Sequence, residues 1–167
     1  TLGYLLEYLN FNSDGFKTIE GEGNTGFDIN EFLFKFKIDF LKKYKTKHTL
    51  EFKFQNYDEI SNETYLGLTK IDYDSKPFYR YPSTQKDNMI AYKNQYVIAY
   101  VVDFSDRFKV TTSGYNNFFR RNWYKLDEII FEGESQKISK VIGDPKAYEN
   151  HNLFSKGRIN GEENCLE

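Results

Sequence analysis

Several residue groups in this chain have types and spacing that could do chemistry. Asp28, followed by Glu51-Phe52-Lys53 on an alternating stretch, fits a D…ExK pattern. In a Mg²⁺-dependent nuclease of the PD-(D/E)xK kind, two such carboxylates hold the ion and the lysine steadies the attacking water. The pattern is poor in information, because any half-polar strand rich in Lys and Glu produces ExK by chance. Glu51 and Lys53 also continue a run of alternating charges that begins at Glu31. A second group interleaves Tyr79, Tyr81, Phe118, Phe119 and Trp123 with Arg80, Arg120 and Arg121. Such residues can stack and clamp single-stranded nucleic acid, and they equally suit an interfacial aromatic girdle with adjacent cations. The acidic, glycine-rich segment 17–26 reads as a solvated loop or a calcium loop, although its spacing departs from an EF-hand. His48 and His151 stand far apart with no Cys or second His nearby, which argues against a metal or catalytic role. Ser61, Ser83 and Ser113 lack the G-x-S-x-G context of a nucleophile elbow. Nothing resembles a phosphate-binding glycine loop.

The elements that must position these residues read as strands. Phe32, Phe34, Phe36, Ile38 and Phe40 share one parity, and Glu31, Leu33, Lys35, Lys37 and Asp39 share the other. On a helix, Phe34 and Ile38 would point away from Phe32, Phe36 and Phe40. On a strand all the rings share one face and nearly all the charges the other. The same alternation resumes with Leu50, Phe52 and Phe54 after a short basic turn at 42–48, and again with Tyr92, Tyr96, Ile98, Tyr100 and Val102. Strands are expected over about 3–12, 27–41, 49–57, 90–104 and 108–124, with residues 125–167 mostly loop and no linker that splits the chain. Connections run long, short, long, short, long. That asymmetry belongs to an up-and-down outer-membrane barrel with short turns on one side and long loops on the other. The fold class expected is therefore all-β, an antiparallel up-and-down meander.

Composition agrees. Phe 16 and Tyr 14 against a single Trp and 3 Pro favour strands over helices. A net charge of −2 gives no bulk attraction to nucleic acid. The lone Cys165 excludes an internal disulfide and a multi-thiolate zinc site. No run reaches the length of a membrane helix, which leaves a barrel open. The chain begins at Thr1 without Met and reads as an excerpt of a longer polypeptide, with Leu166-Glu167 as a cloning remnant.

The stretch Glu63 to Gln85, ETYLGLTKIDYDSKPFYRYPSTQ, together with Arg121 to Asp127, RNWYKLD, resembles the TonB-dependent outer-membrane receptors of the ferric-dicitrate type. The likeness runs from about Gly3 to Asp127 and includes Ser13-Asp14-Gly15-Phe16 and Thr25-Gly26-Phe27-Asp28 in the family's order. It implies a segment of a large transmembrane β-barrel, of about 22 strands around a plug, with the plug absent from this stretch. The implied function is binding and import of a ferric chelate, without catalysis and without a cofactor beyond that iron(III) ligand. The implied partners are the chelate, outer-membrane lipid, and TonB through parts of the receptor outside this stretch; nucleic acid is not among them. The implied location is the outer membrane of a Gram-negative bacterium.

A ferric citrate complex is anionic and needs cationic donors, each charge-assisted hydrogen bond being worth about 1.5–3 kcal/mol. Arg80, Lys76 and Lys86 are the first candidates, with Gln85, Tyr79 and Tyr81 as neutral donors and Arg120 and Arg121 next. Where the family pattern reads PYRRY, this chain reads Pro77-Phe78-Tyr79-Arg80-Tyr81, one cation fewer. The alternatives are the nuclease built on Asp28, Glu51 and Lys53, and a soluble β-sandwich recognition module. A few strands alone would leave two open edges in hydrocarbon, at several kcal/mol per unpaired group. Isolated, they are expected to form a twisted sheet that covers its Phe face by self-association.

Overall fold

The computed structural model describes residues 1–21, 23–41, 46–131, 134–143 and 158–159. His151, Cys165, Leu166 and Glu167 lie outside these, as do the turn residues 42–45 and the glycines at 133, 157 and 161. In chain order the elements are β1 (Leu2–Ser13), β2 (Thr18–Ile19), β3 (Phe27–Leu41), β4 (Lys47–Ser61), α1 (Lys70–Ser75), β5 (Tyr79–Arg80), β6 (Asn88–Ser105), β7 (Phe108–Tyr124), β8 (Glu128–Phe131), β9 (Glu134–Lys137), α2 (Ile138–Gly143) and β10 (Arg158–Ile159).

The chain divides into two compact units, each discontinuous in sequence, where the sequence offered no boundary. The first unit collects 1–12, 28–60 and 90–122. It is a five-stranded sheet in the order β1-β3-β4-β6-β7, and all five strands run antiparallel to their neighbours. Side-chain pairs give the register. Tyr8 donates to Asn30 at 2.9 Å, Lys37 pairs with Glu51 at 3.0 Å, Lys53 donates to Gln95 at 2.7 Å, and Lys109 pairs with Asp103 at 3.2 Å.

Parity is kept across the whole sheet. Rings meet from even to even positions: Phe32 with Phe54, Phe34 with Phe52, Phe54 with Tyr96, Tyr92 with Phe118 and Phe104 with Phe108. Polar pairs such as Thr49–Asp39, Gln55–Glu31 and Gln95–Asn117 join odd to odd. The result is one aromatic face and one charged face. None of Phe32, Phe34, Phe36, Ile38 or Phe40 is buried, and Tyr4, Tyr8, Ile98, Phe104 and Phe108 are exposed. Among the described residues, nothing packs on this apolar sheet face to bury it. Full burial of such a side chain is worth about 1.5–3 kcal/mol, so the face has a strong call for a nonaqueous neighbour.

The second unit collects 13–27, 61–89 and 123–167. Its core is Leu66, Tyr81, Leu126, Ile138 and Val141. Residues 125–143, expected to be mostly loop, instead form the β8–β9 hairpin and α2, because Ile138 and Val141 supply buried side chains to that core. The long segment 58–88, expected to connect two strands, begins with the last residues of β4 and holds α1. Thr69 caps it by accepting the Asp72 amide at 3.3 Å, and Pro77 follows one residue after its C-cap.

Candidate functional site

The odd short motifs in the sequence meet in one hydrogen-bonded knot within the second unit. The Thr25 amide donates to the Asp14 carbonyl at 3.2 Å and the Asn62 amide to the Gly26 carbonyl at 2.8 Å. Short parallel pairing of β2 with β5 sets Thr18 beside Tyr79, and the Thr18 amide donates to the Phe78 carbonyl at 2.8 Å. Tyr65 donates to the Leu126 carbonyl at 2.6 Å and stands edge-on to Trp123, with Lys125 over its ring at 4.7 Å.

Two buried side chains organise this knot. Arg80 is 4% exposed. Its Nε donates to Thr84 Oγ1 at 2.9 Å, its terminal nitrogens donate to the carbonyls of Asn62 and Thr84, and one reaches the Asp87 carbonyl at 3.3 Å. Burial lowers the pKa of its guanidinium, and the Asp87 charge offsets part of that. Arg80 thus spends its fork on the chain's own carbonyls and acts as a strut. Tyr81, 2% exposed, accepts the Thr69 amide at 3.0 Å and donates to Asp72 Oδ2 at 2.5 Å. Burial pushes its hydroxyl up to about 12, so it stays neutral and locked.

The other loop candidates are open to solvent or partly so. Lys76 and Lys86 are exposed, Gln85 and Tyr79 half-buried, and Lys76 lies 5.4 Å from the Tyr79 ring centre. Burial raises the Tyr79 hydroxyl, which remains a neutral donor. Two adjoining clefts of about 270 and 260 Å³ open on this unit, and both are lined by Lys17, Thr64 and Arg80. Tyr73, Tyr79 and Tyr81 line the first, and Asn62 and Glu63 the second. Lys17 is an exposed cation that the sequence did not single out. The β2–β5 pairing and the Thr25 hydroxyl bring it to this place, and two residues per strand leave no periodic signal.

Arg120 and Arg121 belong to the sheet unit and, being adjacent on β7, point to opposite faces. Arg120 shares the aromatic face with Tyr92 and Phe118, while Arg121 shares the charged one. The nuclease residues are not brought together. Asp28 sits on the even face beside Asn30 at 2.6 Å, and Glu51 sits on the odd face paired with Lys37. Lys37 lies nine residues from Asp28 on the same strand, about 30 Å away at about 3.4 Å per residue. Among the described residues no group of three His, Cys, Asp or Glu could hold a metal ion. His48 is buried, stacked on Phe40 at 5.5 Å, and held by the Tyr100 hydroxyl at 2.5 Å and Thr46 at 3.1 Å.

No protein-family model matches the chain, and no curated protein or solved structure gives a significant match.

Proposed function

We propose that this chain is a stretch of the wall and outer loops of a TonB-dependent outer-membrane receptor that binds and imports a ferric chelate. One observation carries the proposal: an uncovered aromatic face spans five strands, and its charges are confined to the loop end. On that face the strand residues with charge are Asp28, Asp58 and Arg120, whereas the opposite parity is charged along its whole length. A lipid-facing band needs such segregation, because Lys or Arg at the bilayer midplane costs about 2–4 kcal/mol. The rings from Phe32 to Phe40 span roughly 27 Å of strand at about 3.3 Å per residue. Tilted by about 40°, that length rises about 20 Å, the greater part of an apolar band about 25 Å tall. The chelate would meet Lys17, Lys76 and Lys86 with the Tyr79 hydroxyl, on loops held in place by Arg80, Tyr81 and Asp87. Arg121 would face the water-filled interior.

The test is cysteine scanning of residues 34–37 in the complete protein with Cys165 replaced by Ser. Probes at 34 and 36 should be quenched by brominated lipid, and those at 35 and 37 should react with a water-soluble maleimide. Uniform aqueous labelling at all four positions would sink the wall assignment. Ligand class is tested by binding of ferric citrate against iron-free citrate; equal affinity for both rules out recognition of the ferric complex.

A further inference from the structure

We infer that the outward face between β6 and β7 carries a site for a phosphate-bearing, anionic lipid headgroup, centred on Arg120. The inference rests on the wall assignment above and adds a specific partner to it.

The apolar field on the even face ends in a row of asparagines. Asn10 donates to Asn30 at 2.8 Å and Asn56 to Asn94 at 3.0 Å. These amides satisfy one another laterally, strand to strand, along the line where rings give way to polar groups. Such a row marks where the face turns polar, and the lateral pairing avoids the several kcal/mol that each unpaired amide would cost beside hydrocarbon. Just beyond it, Ile90, Tyr92, Phe118, Arg120 and Asn122 line a groove of about 360 Å³. Tyr92 and Phe118 form its floor, with ring centres 5.9 Å apart at 66°.

Arg120 is the sole cation among the strand residues of this face, and it has neither an ion-pair partner nor a hydrogen-bond partner among the described residues. It stands where a lipid phosphate would lie if acyl chains covered the rings below. Its planar fork matches a phosphate in two parallel bonds. Asp58, two strands away on the same face, favours a headgroup held close to β7 over one lying across the sheet. Arg121, one residue on, faces away and serves as an internal control.

The experiment uses the complete protein reconstituted in vesicles of phosphatidylglycerol and phosphatidylcholine, with co-purifying lipid counted by native mass spectrometry. Arg120→Gln should lower retained phosphatidylglycerol about five-fold, the effect of one surface cation on anionic lipid. Arg121→Gln should leave retention as in the parent. Inorganic phosphate at millimolar concentration should not displace the lipid; if it does, the groove is a free-anion site and the headgroup assignment fails. Equal retention by Arg120→Gln and the parent also overturns it. The lipid-quenching scan at residues 34–37, run in the same vesicles, separates the failures. Quenching at 34 and 36 with no Arg120 effect removes only the headgroup site, whereas absent quenching removes the wall assignment and this inference together.

Discussion

The backbone amide of Leu126 donates to Oδ1 of Asp87 across 2.7 Å, joining positions 39 apart in the chain. The other carboxylate oxygen accepts the Thr64 hydroxyl at 2.6 Å. One buried side chain, 2% exposed, therefore ties together the segment before α1, the start of β6 and the end of β7.

Burial pushes the Asp87 carboxyl above its ordinary value, and the Thr64 hydroxyl, the Leu126 amide and the Arg80 charge bring it only part of the way back. The folded loop cluster therefore holds a proton more readily than the unfolded chain does. Between the ordinary aspartate value, about 3.9, and the raised folded one, stability falls as pH rises, then levels off. Hydrogen exchange at Leu126, corrected for intrinsic rate, should show protection decreasing through that acidic window. Asp87→Asn keeps a carbonyl acceptor and should flatten the slope. A slope that survives in Asp87→Asn assigns the titration to another group.

Arg80 was the foremost ligand candidate by sequence, and its geometry sets up a different expectation. Arg80→Ala strands the carbonyls of Asn62, Thr84 and Asp87 and should destabilise the loop cluster by about 3 kcal/mol or more. Arg80→Lys should recover little, because a single ammonium cannot replace a planar fork. Exchange should accelerate in peptides covering 62–64 and 84–87. By contrast, Lys76→Ala should weaken ferric citrate binding with exchange unchanged, since the Lys76 side chain is exposed and among the described residues meets only the Tyr79 ring. Unchanged exchange in Arg80→Ala, with binding lost, would return Arg80 to the ligand.

The sheet was legible in the sequence because alternation is a local property. Phe32 to Phe40 against Glu31 to Asp39 fixes both strand and face, and the strands were found with ends displaced by a few residues at most. The second unit was not legible in the same way. Lys17 and Arg80 lie 63 residues apart and meet through two-residue strands; Ile138 and Val141 join the core from a stretch rich in glycine and charge. The short motifs flagged the correct segments, but a motif does not disclose which side chain points inward. Arg80 and Tyr81 read as donors and proved to be a strut and a lock. Arg120 and Arg121 illustrate the converse, because they were grouped as the next ligand candidates, although strand parity sends them to opposite faces.

The crossing of the β1–β3 connection yields a prediction that separates contact from conformation. A Cβ at Gly26 would lie 1.8 Å from the Ser13 carbonyl oxygen and 2.7 Å from the Asp14 backbone, atoms that cannot rotate aside. Gly23 has φ +99° but nothing within 4 Å of its Cβ position. Gly23→Ala should therefore cost only the backbone term, about 1 kcal/mol. Gly26→Ala must move the two chain segments apart and break the Thr25–Asp14 and Asn62–Gly26 bonds, a loss of about 4 kcal/mol or more. Exchange of the Asn62 amide reads both directly: near-normal protection in Gly23→Ala and collapse in Gly26→Ala. Equal effects would mean that the close approach of Ser13 does not set the need for glycine at position 26, whose φ is not positive.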